Sequence, residues 1–182
     1  MMYKTHSIAA IVACTAIVPT LNSLKLVDNS NVYIVGLIFA GGILGALLPD
    51  IDSPTSKIRR IIRKLITGNP NPETNQSMPN HRREPHMPLI WAGIFAVLLL
   101  TVTQPMMLAL IYGLMTGVYS HLAIDMLNPA GIPLFGPVNR KKVSIFFIKA
   151  NSFGESVFAV CSIAFELYLL FGLNYIHKLL LI

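Results

Sequence analysis

Residues 106–125 read MMLALIYGLMTGVYSHLAID. An uncharged run leads straight into His121 and, one helical turn later, Asp125. A helix of about 20 apolar residues is what a bilayer core requires. The i,i+4 spacing places the imidazole and the carboxylate on one face at the end of that helix. Four further apolar stretches match it: Ser7 to Leu24, Val32 to Leu48, Pro88 to Thr103 and Ser156 to Leu173. Across all 182 residues, 54% are apolar and 12% charged, against roughly 25% charged in a soluble domain. Mean hydropathy is +0.63. The composition therefore predicts an all-α, polytopic transmembrane helical bundle of about five spans, forming one domain over residues 1–182. Asp28 to Asn31 and Gln104-Pro105 are tight connections, so the third and fourth spans form a helical hairpin. A cleaved signal peptide is disfavoured. Lys4 does precede an apolar stretch, but no small-residue cleavage site follows.

Two long polar loops, about residues 49–87 and 125–155, separate these spans. In a five-span arrangement they share a side with Lys4. That side holds Lys57, Arg59, Arg60, Arg63, Lys64, Arg82 and Arg83 from the first loop, and Arg140, Lys141, Lys142 and Lys149 from the second. The opposite side keeps Lys25 and Lys178. Positive charge marks the cytoplasmic side of membrane helices, so the N-terminus and both loops are expected there. Within the first loop, Ser53 to Thr67 reads as an amphipathic helix. Ile58, Ile61, Ile62, Leu65 and Ile66 recur at helical spacing and basic residues fill the other face, a pattern suited to anionic lipid headgroups. An ordinary solvated helix face is the competing reading. Cys14 and Cys161 lie inside apolar runs and read as small hydrophobes.

The remaining ionisable residues gather at one side of this map. His6 precedes the first span. Asp50 and Asp52 end the second, His81 and His86 precede the third, His121 and Asp125 close the fourth, and Glu155 opens the fifth. The map was oriented by Lys and Arg alone, so the agreement is independent of them. Asp50 and Asp52 flank Ile51 after Pro49; in an extended segment both carboxylates would point the same way. Several such groups near bilayer depth are expensive without compensating charge. A divalent cation supplies it, and mixed His and carboxylate ligands suit zinc, manganese or iron. The expected ligands are His6, Asp50, Asp52, His81, His86, His121, Asp125 and Glu155, for one or two ions. His177 lies at the opposite end. Asp28, Glu73 and Glu166 are poorly placed.

The runs Leu48-Pro49-Asp50-Ile51-Asp52-Ser53-Pro54, His81-Arg82 with His86, Gly117 to Asp125, and Asn128-Pro129 with Gly131 resemble the YdjM-type inner-membrane metal-dependent hydrolases, a family with LexA-regulated members. Thr5-His6 and Gly154-Glu155 fit the same pattern, and the resemblance covers nearly the whole chain in order. Arg83, Pro85 and Met87 stand where the family usually has Gly, Thr and Ser. That removes hydroxyls which could orient ligands. The resemblance implies a helical protein with a hydrolase site similar to those of zinc phospholipases C.

Metal-assisted hydrolysis of a phosphoester is the leading expectation. Asp52 or Glu155 would act as general base and Arg82, beside Arg83, as a phosphate clamp. Membrane lipids are the expected surroundings, with a lipid-linked or other phosphoester as substrate. The rival is a non-catalytic metal-binding membrane protein, either an ion-binding or transport protein or an adaptor stapled by its metal. Nucleic acid is not an expected partner, since the basic runs lack interleaved aromatics.

Overall fold

The computed structural model describes residues 3–52, 64–66 and 84–172. Among the described residues, five long α-helices carry the fold: α1 (Tyr3–Ser23), α2 (Val32–Gly45), α3 (Pro88–Thr101), α4 (Pro105–Met126) and α5 (Phe153–Leu167). A short 3-10 helix, Leu48–Asp52, follows α2; a second, Glu84–His86, precedes α3; a π-helical turn, Tyr168–Gly172, extends α5. Among the described residues there is no strand, only an isolated bridge between Ile132 and Val143.

Among the described residues, four helical stretches are long and apolar enough to cross a membrane: Tyr3–Ser23, Val32–Ile51, Pro105–Met126 and Phe153–Phe171. The third apolar stretch differs from its expected length. Its helix stops at Thr101 after 14 residues, about 21 Å at 1.5 Å per residue and short of a roughly 30 Å hydrocarbon core. The backbone is extended at Val102 and Gln104 before Pro105 starts the next helix. Proline fits the first turn of both α3 and α4 because its missing N–H has no partner to lose there.

Local chemistry sets the other boundaries. Asn31 caps α2, its side chain accepting from the amides of Tyr33 and Ile34. Asp28 organises the preceding turn by accepting from the Ser30 amide at 2.9 Å and hydroxyl at 2.6 Å. These bonds hold its carboxyl below the usual carboxylate range. Ser152 caps α5 by accepting from the Glu155 amide.

Between helices, the closest packing is that of α2 on α4. A Cβ at Gly113 would land on the Ile38 carbonyl, and one at Gly117 on the Gly42 carbonyl oxygen and the Ala46 nitrogen. Gly41 and Gly45 answer from α2, each with the backbone of Leu110 or Leu114 where a side chain would go. In lipid there is no hydrophobic drive between helices, so small residues that let backbones meet are the main packing device. Around this crossing, Cys14, Leu21, Ile34, Ile38 and Ala109 form one buried cluster, and Phe95, Ile111, Val118, Leu122 and Ile132 a second. The mid-span carboxyl of Glu166 accepts from Thr15 at 2.6 Å, which ties α5 to α1 away from the ligands.

Two expectations need revision or fall outside the description. The Asp50–Asp52 segment is 3-10 helical, not extended. With three residues per turn the period-2 alternation is absent, and with it the reason for both carboxylates to share a direction. Of the amphipathic helix expected over Ser53 to Thr67, residues 64–66 are described and helical; the rest lies outside the described residues, as do His81, Arg82 and Arg83.

Candidate metal centre

The α2–α4 crossing has a direct consequence one turn beyond Gly117. It brings the Ala46 carbonyl to 2.6 Å from Nδ1 of His121. A carbonyl only accepts, so Nδ1 must carry the proton and Nε2 the free lone pair. The ring is thereby fixed in tautomer and direction, the usual arrangement for a ligating histidine. Its Nε2 lies 3.7 Å from Asp125 Oδ2, the i,i+4 partner expected from the sequence, and 3.8 Å from Asp50 Oδ1.

Two more histidines converge on the same point. His86, at the end of the second 3-10 helix, places Nε2 3.4 Å from Asp125 Oδ2 and 3.6 Å from Asp50 Oδ1. His6 comes from the first turns of α1; its Nε2 is 3.6 Å from Asp125 Oδ1, and its ring stacks on His121 at 3.8 Å between centroids. Asp125 thus serves His6 with one oxygen and His86 and His121 with the other. Two overlapping triads result, His6–His121–Asp125 and Asp50–His86–His121.

The spacings discriminate between a hydrogen-bonded cluster and a ligand set. N–H···O bonds span about 2.7–3.2 Å. Two atoms each about 2.0–2.2 Å from one tetrahedral ion stand roughly 3.3–3.6 Å apart. The observed 3.4–3.8 Å lies beyond the first spacing and overlaps the second, with His121 Nε2 about 0.1–0.2 Å wider. Among the described residues, neither His6 Nδ1 nor His121 Nε2 makes a hydrogen bond, although both are buried. A divalent cation fits this donor set. The three histidines and Asp125 are at most 1% exposed, whereas the Asp50 side chain is 25% exposed. Asp50 therefore marks the open edge of the cluster. At His86, burial works against the charged ring, yet the carboxylates of Asp125 and Asp50 raise its pKa above the ordinary histidine value.

Glu155 sits beside the cluster, belonging to neither triad, and is buried. Its Oε1 accepts from the Thr5 hydroxyl at 2.8 Å and its Oε2 from the Asn151 amide at 2.6 Å. It thus grips the residue next to His6. Thr5 and the Ala46 carbonyl are the parts that sequence reasoning did not assign. Thr5 adjoins a candidate ligand and so left a signal; a backbone carbonyl leaves none. Asp52 lies in the first 3-10 helix, its side chain outside the description, and His81 and Arg82 lie outside it altogether.

A family model described as YdjM inner membrane protein matches residues 1–180. The chain belongs to that family. It is also similar to a Bacillus subtilis (strain 168) protein named "Uncharacterized protein YvsG", 30% identical over 164 aligned residues, the match covering 86% of each chain. No solved structure matches. Membership in the YdjM inner membrane family accords with the four long apolar helices, and the match runs across every residue of the histidine–aspartate cluster.

Proposed function

We propose that this YdjM-family protein is a membrane-bound metal-dependent hydrolase that cleaves a phosphoester, with a lipid or lipid-linked compound as its substrate class. The observation that carries the reading is the convergence of His6, His86, His121, Asp50 and Asp125 at ligand spacing, from four separate segments, with one edge open. These residues would hold one or two divalent ions. Three imidazoles favour zinc, and manganese or iron remain compatible with the carboxylates.

When bound, such an ion activates water at neutral pH and draws charge from a phosphoryl oxygen. The chain's own residues do the rest. Ala46 fixes the ring of His121, and Asp125 joins all three histidines. Asp50 faces the entry. Asp52 is the candidate general base, from its place beside Asp50. Arg82 is the candidate phosphate clamp and His81 a further ligand, from their places beside His86. For Glu155, with hydrogen bonds on both oxygens, a positioning role through Thr5 has better support than ligation or base catalysis. The cytoplasmic side of the inner membrane is the proposed location of the site, supported by the Lys and Arg of the two long loops.

The test is metal analysis of protein purified without chelators, together with turnover of phospholipids and generic phosphodiesters by wild type, His121→Ala and Asp125→Ala. Bound metal and turnover in wild type alone support the proposal; absence of metal from wild type overturns it. Metal retained by wild type without turnover on any substrate favours a second reading, a non-catalytic metal-binding protein. The near-complete burial of four of the five ligands is what speaks for that reading.

A further inference from the structure

The connection from α4 to α5 is held closely to the end of α4. Ile145 donates its amide to the Met126 carbonyl at 2.8 Å and Ile148 to the Leu127 carbonyl at 2.9 Å, while the Ser144 hydroxyl donates to Asn128 at 2.8 Å. The Ile132–Val143 bridge closes its base, and Gly136 packs on the buried side chain of Met87, next to His86. These bonds satisfy carbonyls at the end of α4 that no helical amide can reach. They also fix the connection at the depth where a spanning helix ends.

The outer side of this connection has an unusual surface. Phe147 is 82% exposed and Val138 90%, and Phe135, Ile145 and Phe146 are exposed as well. Arg140, Lys141, Lys142 and Lys149 are exposed among them. Residues 126–154 contain no acid; among the described residues, Glu84 stands 3.9 Å from Arg140 and Glu155 accepts from the Asn151 amide. Aromatic and aliphatic side chains alternating with cations, at the level where a spanning helix ends, form a surface that water suits poorly and the headgroup layer suits well.

We propose that the α4–α5 connection is an interfacial anchor: Ile145, Phe146 and Phe147 enter the leaflet on the site's side of the membrane, and Arg140, Lys141, Lys142 and Lys149 bind its anionic phospholipid headgroups. The inference is independent of any hydrolase activity. Because the connection packs on Met87, it would hold the open edge of the histidine–aspartate cluster at headgroup depth.

The full-length protein, carrying Phe147→Cys and Cys161→Ala, is labelled with nitrobenzoxadiazole and placed in nanodiscs of phosphatidylcholine with or without phosphatidylglycerol. Cys14 is fully buried and stays outside the reaction. The expected result is blue-shifted emission, strong quenching by lipids doxyl-labelled high on the chain, and iodide quenching several-fold weaker than for the glutathione adduct of the label. Phosphatidylglycerol should increase the lipid quenching, and Lys141→Glu with Lys142→Glu should abolish that increase. Iodide quenching as strong as for the adduct, or lipid quenching indifferent to phosphatidylglycerol, overturns the proposal. The same series with Phe146→Cys provides the answer if the position 147 variant does not yield monodisperse protein.

Discussion

Gly117→Ala tests the link between helix packing and the metal centre. The added methyl would meet the Gly42 carbonyl oxygen and the Ala46 nitrogen, both backbone atoms that cannot swing aside. Overpacking of this kind costs about 1–3 kcal/mol, and relief requires α2 to retreat by roughly 1.5 Å to regain ordinary contact near 3.5–4.0 Å. The His121 Nδ1 to Ala46 bond, 2.6 Å in the wild type, would then stretch beyond hydrogen-bond length. Loss of a bond that orients a ligating histidine lowers metal affinity about 10- to 100-fold. The assay is metal retention against a graded chelator, read by elemental analysis. Gly36→Ala and Gly93→Ala are the controls, because a Cβ at either position meets nothing within 4 Å. Unchanged retention in Gly117→Ala, or an equal loss in Gly36→Ala, would refute the reasoning.

Four further outcomes are expected. Thr5→Val removes the donor to Glu155 Oε1 and should lower stability in detergent by about 1–2 kcal/mol; it should also weaken metal retention, because α1 carries His6, and a melting curve with parallel metal analysis checks both. Metal binding should weaken as pH falls, beginning above the ordinary histidine pKa of about 6.5, because Asp125 and Asp50 raise the pKa of His86 and protons compete for its lone pair. Metal-free protein should show the opposite trend: a raised folded pKa contributes stability that is fully present below the unfolded value and lost as pH rises through the folded one, so its melting temperature should fall over that interval. Asn31→Ala should cost about 1 kcal/mol through loss of the α2 cap, leaving metal content unchanged because Asn31 lies at the far end of α2 from Asp50.

Much of the fold is written in the hydropathy of the chain, since lipid leaves few options for a long uncharged run. The 14-residue α3 was less legible, because apolar composition continues to Thr103 while the helix stops at Thr101. The His121–Asp125 pair follows from helical period alone. The placing of His6 does not: its ring reaches His121 through the docking of α1 on α4, a tertiary fact with no local pattern. The Asp50–Asp52 pair misled for a related reason, since Pro49 is compatible with a 3-10 turn as well as an extended strand. Glu155 carried a correct signal of burial at the site, while its role depends on Thr5, 150 positions away.

That same span between Thr5 and Glu155 bears on the birth of the protein. His6 enters the membrane with α1, yet its carboxylate partner Asp125 and the Glu155 that grips its neighbour emerge from the ribosome far later. No early fragment owns a complete set of donors. With these residues as the ligand set, metal capture would wait for α4 to arrive, so an occupied centre would double as a certificate that the segments up to α4 have been inserted in the right order and orientation.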